Sequence, residues 1–186
     1  ESRDLETAQI AVEASLTGHL VLSTLHTNSA PETVTRLLDM DLEPFLITAS
    51  LEAVLAQRLV RTICRHCRTP YKPDEELMED LGLPRSWRKD PNLKFFKPRV
   101  NEAQDTIGCA ACDYIGYMGR TGLYELLIAD EQVCNMILDR AMAFDIRRYA
   151  RKSMGMRTLR EQGILKLVQG ITGADEITAH TDKFED

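Results

Sequence analysis

Two Cys-x-x-Cys pairs, Cys64 with Cys67 and Cys109 with Cys112, constrain the fold of this chain more than any other feature. Two residues between paired cysteines let both thiolates converge on one ion, and two such pairs complete a closed tetrahedral site. Residues 68–108 separate the pairs, a span of 41 residues that exceeds a compact zinc ribbon. The site therefore closes a long loop. Five of the seven prolines fall between Cys64 and Cys112, and such a segment is expected to bury little by itself, so closure by a metal supplies its order. Four thiolates leave no open position, which predicts a structural and not a catalytic Zn2+.

Arg65, His66 and Arg68 flank the first pair, where positive charge favours thiolate. His66 is expected at the surface or behind a ligand. The competing reading is two unrelated pairs of buried or redox-active cysteines. Cys134 stands alone in a helical-looking stretch and reads as a core or half-buried thiol. An odd cysteine count with no signal segment at the start does not describe a secreted disulfide framework and fits a reducing setting.

The charge supports a distinct middle segment. Residues 1–57 carry 2 basic and 9 acidic side chains, residues 58–120 carry 12 and 9, and residues 121–186 carry 9 and 11. The formal net charge of −6 argues against nucleic-acid binding through the whole chain. No apolar run approaches the length of a membrane span. The chain starts at Glu1 and not at Met, which reads as an excised or processed piece.

Local patterns place the elements. Asp4 is a plausible N-cap for a helix over residues 5–16 that ends at Gly18. Residues 19–25, His-Leu-Val-Leu-Ser-Thr-Leu, read as a short strand covered on both faces. That strand would deliver His26, Thr27 and Asn28. Ser29-x-x-Glu32 is a capping box with Pro31 in the first turn, opening a helix to about Met40. Residues 46–51 fit helix or strand, and residues 54–63 a strand. The alternation predicts an α/β sheet with ligands at strand C-terminal ends. A short helix over 74–81 and a strand at Phe95-Phe96 follow. After Gly122 the patterns give a strand over 123–128 and helices over 131–140, 145–153 and 159–169. A last helix starts near Ala174, and the end is expected to fray from Thr181.

Glu1-x-Arg3-Asp4 is a weak signal alone, and so is His26, since a lone histidine is usually structural. Together they offer a carboxylate at one sheet edge and a hydroxyl and an imidazole one strand further on, groups suited to orienting water and reading a phosphate. At this point the chain resembles the type II secretion and type IV pilus assembly ATPases. The resemblance rests on Glu1-Ser-Arg-Asp-Leu-Glu-Thr-Ala8, the run from Thr17-Gly18-His19 to Asn28, and Leu55-Ala-Gln-Arg-Leu-Val-Arg61. It extends through both cysteine pairs, Gly119-Arg-Thr-Gly-Leu-Tyr-Glu125 and a helical tail.

The resemblance implies the C-terminal part of a RecA-like P-loop ATPase domain with an inserted tetracysteine zinc subdomain and a helical C-terminal tail. Residues 1–63 would end the ATPase core, 64–112 would bind zinc, and 113–186 would add a strand and helices. Glu1 matches the Walker B glutamate that orients or activates water beside Mg2+. His26 matches the histidine that senses the γ-phosphate of ATP, with Thr24 a weaker companion. Cys64, Cys67, Cys109 and Cys112 match the zinc ligands of assembly-type members. Arg58, Arg61 and Arg120 sit in family motifs, with salt bridging or subunit contact as the favoured role.

The same resemblance implies a homo-hexamer in the bacterial cytoplasm, peripheral at the inner-membrane face, working on an inner-membrane platform protein and a cytoplasmic adaptor. Arg85, Arg88 and Lys89 are candidates for that attachment. No Gly-Lys dipeptide occurs in the sequence, so a phosphate-binding Walker A loop is absent from this chain and the fragment is expected to be inactive alone. Two alternatives stand beside this reading, a stand-alone zinc-binding interaction module and a non-hydrolysing scaffold.

Overall fold

The structure is a computed structural model and describes residues 1–183. The expectation of a frayed end therefore lies, for residues 184–186, outside the described residues. In chain order the elements are helices α1 (Leu5–Leu16), α2 (Ala30–Asp39) and α3 (Pro44–Ser50), strands β1 (Ala53–Ile63) and β2 (Arg68–Tyr71), and helices α4 (Glu75–Asp80) and α5 (Arg85–Arg88). Strand β3 (Phe95–Pro98), a 3-10 turn at Ala110–Cys112 and strand β4 (Tyr117–Ile128) come next. Helices α6 (Glu131–Leu138), α7 (Ala143–Ser153), α8 (Leu159–Val168) and α9 (Ala174–His180) complete the chain. The order is α/β. No helix among the described residues is long and apolar enough to cross a membrane.

The chain divides into two compact units. The first comprises residues 1–56 and 125–158, the second residues 57–124 and 159–186. β1 pairs with β4 and β2 with β3, in two separate two-stranded sheets.

In the first unit, α2 packs on α7, α3 on α6 and on α1, and α6 on α7. Side chains at helical spacing, Val34, Leu37 and Leu38 of α2 with Ile146 and Ala150 of α7, form part of one core. Caps fix the helix starts. Asp4, Ser29 and Asp130 each accept a backbone N–H three residues on.

Residues 19–25 form no strand, contrary to the sequence expectation. Leu20 and Leu22 are 87% and 88% exposed. The apolar β-type pattern is real, but a strand exists only where a neighbour supplies a hydrogen-bond ladder. No strand lies alongside this segment among the described residues. It is tied by the Ser2 N–H, which donates to the Thr24 carbonyl at 3.0 Å.

In the second unit, β2 and β3 run antiparallel with Arg68 opposite Pro98 and Tyr71 opposite Phe95. α8 packs against β3 and α9. The proline-rich segment buries more than its composition suggests. Met78, Leu81, Leu83, Leu93 and Phe95 are all buried, and α8, from far along the chain, packs against β3 of this segment. Buried Arg160 of α8 donates to the carbonyls of Asp80, Leu81 and Thr181, satisfying the C-terminal carbonyls of α4. Thr181 is itself buried and bonds the Ile177 carbonyl at 2.6 Å, so the chain is held at least to that residue and does not fray there.

Candidate functional site

Cys64 directly follows β1, and Cys67 comes one turn later, with its N–H donating to the Cys64 carbonyl at 3.3 Å. The second pair sits on the 3-10 turn. After it the chain turns through Asp113 and Tyr114, both with positive φ, to Gly116. Gly108 and Gly116 allow this close turn. A Cβ on Gly108 would meet the Tyr114 backbone at 2.6 Å, and one on Gly116 would meet the Pro98 Cβ at 2.5 Å. Both glycines also have positive φ.

The four sulfur atoms all lie within 4.8 Å of one another. Three of the pairs, Cys64–Cys109, Cys67–Cys112 and Cys109–Cys112, are at 3.8 Å. A thiolate tetrahedron around zinc, with Zn–S about 2.3 Å, has sulfur–sulfur edges of about 3.8 Å. None of the four is in a disulfide. The donor set and spacing therefore fit a metal ion, and the sequence pairing is brought together as expected.

The local electrostatics are those of a cation site. Burial opposes ionisation of Cys112, but N–H groups of Cys109 and Gly116 donate to its sulfur at 3.3 and 3.2 Å and bring its thiol down to about 6. Cys67 is pushed up to about 12 by burial and by its three sulfur neighbours. Cys67 therefore keeps its proton at neutral pH, and a metal ion has to displace that proton on binding. His66 is exposed, and Cys134 is half-buried, donating to the Ala129 carbonyl at 3.7 Å, away from the cluster.

The second group of candidate residues is in the first unit. The Glu1 carboxylate meets His26 Nε2 at 2.6 Å and Arg3 Nη2 at 2.7 Å. The Arg3 bond is the main reason that the Glu1 carboxyl is held down at about 2, with burial opposing and His26 assisting. Ser2 anchors the segment through Ser23 Oγ at 2.8 Å and the Thr24 carbonyl at 3.0 Å. The Thr24 side chain is exposed. Glu1 and His26, twenty-five positions apart, are thus in contact, and Thr24 contributes its backbone.

The first turn of α2 is fixed more heavily than its capping box alone requires. Ser29 caps the Glu32 N–H, and the Asn28 N–H donates to Glu32 Oε2 at 3.3 Å. The fully buried Glu125 accepts the Ala30 N–H at 2.8 Å. Arg147, also buried, reaches Ser29 Oγ at 3.2 Å and Glu32 Oε1 at 3.4 Å. Thr27 and Thr33 hydroxyls meet at 2.7 Å.

Sequence reasoning assigned no role to Arg3, Glu125 or Arg147. The Glu1-x-Arg3 spacing carried a signal, since residues two apart in an extended segment share a face. Arg61 is salt-bridged as expected, gripping Glu176 at 2.7 Å. Of the proposed attachment group, Arg88 is engaged internally with the Leu83 carbonyl and Glu79.

Residues 1–179 match the family described as "Type II/IV secretion system protein". The chain is 45% identical, over 97% of its length, to the type IV pilus assembly ATPase PilB of Thermus thermophilus, covering 19% of that protein. It is 46% identical, over 95% of its length, to the type II secretion system ATPase E of Vibrio cholerae, covering 32% of that protein. The X-ray structure of the Legionella pneumophila ATPase DotB matches 96% of this chain and 36% of that one, with a TM-score of 0.56 at 21% identity, a likeness of fold.

Proposed function

This chain belongs to the Type II/IV secretion system protein family, and from that premise we propose that it is the C-terminal portion of an ATP-driven motor for type II secretion or type IV pilus assembly. Its relatives carry those names, and it spans about a fifth to a third of their length. The observation that carries the catalytic reading is the 2.6 Å contact between Glu1 and His26.

In this reading residues 1–63 close a RecA-like core, 64–112 form the zinc subdomain, and 113–186 supply a strand and the helical tail. Glu1 faces the attacking water. A carboxylate held near 2 is a weak proton acceptor at neutral pH, so its role is to orient that water and not to deprotonate it fully. His26, 86% exposed at its side chain and bonded to Glu1 through Nε2, presents its remaining ring nitrogen, Nδ1, to the γ-phosphate of ATP, with Thr24 beside it. Magnesium, when bound with ATP, neutralises phosphate charge. The phosphate cradle has to come from residues outside this sequence, because no Gly-Lys dipeptide occurs within it; the fragment is inactive alone.

Cys64, Cys67, Cys109 and Cys112 hold a structural Zn2+, which cross-links two distant turns of chain. The full protein acts as a homo-hexamer at the inner face of the bacterial membrane, against a platform protein and an adaptor. Measuring ATP turnover and zinc content of the full-length protein, with and without Glu1→Gln, tests the whole reading. The expected result is a loss of about 100-fold or more in turnover with zinc retained. A full-length protein that holds zinc but does not turn over ATP would instead be a scaffold.

A further inference from the structure

His26 is exposed and belongs to no helix or strand, yet a phosphate-reading group must be held in place. The nearest regular element along the chain is α2, which begins four residues later at Ala30. The geometry at that helix start points to a clamp. We propose that Arg147 is a positioning residue for His26, acting through the first turn of α2. The proposal rests on the reading of His26 given above.

Arg147 lies on α7, over a hundred residues from the turn it grips, and its side chain is 8% exposed. It bonds the two residues that organise that turn, the N-cap Ser29 and Glu32. Glu32 in turn accepts the Asn28 N–H, two residues from His26. The Thr27–Thr33 hydroxyl bond ties the intervening residue to the same turn. On its other side the turn is fixed by Glu125, which accepts the Ala30 N–H. The chain from His26 to Ala30 is therefore held at Thr27, Asn28, Ser29 and Ala30. Arg147 acts on the residues that hold this loop, Ser29 and Glu32, so its effect on His26 passes through the loop.

The charge of Arg147 suits this task. A guanidinium is always ionised, and here one nitrogen, Nη2, faces both the Ser29 hydroxyl and the Glu32 carboxylate. A buried cation facing a hydroxyl and a carboxylate is costly to remove and admits few alternative geometries. Small displacements of a positioned group can cost as much as about 100-fold in rate without any change in substrate binding.

The test is a double-mutant cycle in the full-length motor, comparing Arg147→Met in the parent and in a His26→Ala background. Folding is confirmed by retained zinc. The expected result is that Arg147→Met lowers kcat about tenfold or more while KM for ATP moves by less than about twofold. In the His26→Ala background the same change should cost less than about twofold. An equal fractional loss in both backgrounds overturns the positioning role and leaves the role of His26 standing. A His26→Ala protein that turns over like its parent overturns the reading of His26, and the proposal with it. If Arg147→Met does not fold, Ser29→Gly enters the same cycle under the same criteria, since it deletes the hydroxyl that Arg147 grips and keeps an acceptable N-cap residue.

Discussion

The carboxylate of Glu125, with no exposed surface, accepts the N–H of Ala30 at 2.8 Å across 95 positions of sequence. A strand residue thereby caps the start of a helix, placing a side-chain acceptor on one of the N–H groups that the first turn leaves unpaired. Replacing Glu125 by Ala leaves that N–H unpaired in the interior. The expected cost is about 3 kcal/mol. Thermal unfolding should show a fall of roughly 6–12 °C, and a change within experimental scatter would mean that the bond is not a significant support. Glu125→Gln, which keeps an acceptor, should lose much less.

The tetracysteine site predicts metal stoichiometry. Cys112→Ser should lose the bound metal, while Cys134→Ala should keep about one zinc per chain. Elemental analysis of both purified proteins decides the matter. Zinc retained at full occupancy in Cys112→Ser would show that the four sulfur atoms are not its ligand set. Chelation of the parent should release the metal and expose the 68–108 segment to protease.

Gly116 gives a steric prediction independent of sulfur chemistry. Its φ is 81°, and a methyl group added there would lie only 2.5 Å from the Pro98 Cβ. Gly116→Ala therefore strains the backbone and collides with a rigid ring. Stability should fall by roughly 3 kcal/mol, and zinc should be lost at a lower chelator concentration. An Ala variant as stable as the parent would mean that the second turn can relax.

Arg61 and Glu176 give the pH dependence. The Glu176 carboxyl is 3% exposed; burial pushes it up, but the Arg61 side chain and backbone N–H outweigh this and hold it below its ordinary 4.5. A carboxylate with a depressed folded value adds stability that is fully present above 4.5 and is lost as pH falls through the folded value. Denaturant melts between pH 7 and pH 3 should therefore show falling stability. Arg61→Met should lower stability at pH 7 by roughly 1 kcal/mol, since its side chain is 52% exposed and the backbone N–H bond to Glu176 remains, and should flatten the acid slope. A parallel slope in both proteins would place the acid sensitivity elsewhere.

Much of the helical order was legible because its causes are local. Asp4 and Ser29, read as caps from the sequence, each cap the helix that follows. The tetracysteine set was legible for a different reason, since its chemistry admits few arrangements of two paired knuckles. Residues 19–25 show where local pattern stops. Their β-type composition describes a segment that needs partners, and Leu20 and Leu22 stay exposed, with no strand beside them among the described residues.

The sequence by itself determined the capped helices and the four-cysteine set, because each depends on side-chain chemistry at short spacing or on a pattern with few alternatives. Only the tertiary structure decided that Arg160 closes α4, that Glu125 and Arg147 converge on one helix start, and that Arg61 grips Glu176. These contacts join residues far apart in the chain, and their worth comes from burial, where an unpaired charge or amide is too costly to leave. No spacing rule encodes that cost, since it arises only when the folded chain removes water from both partners.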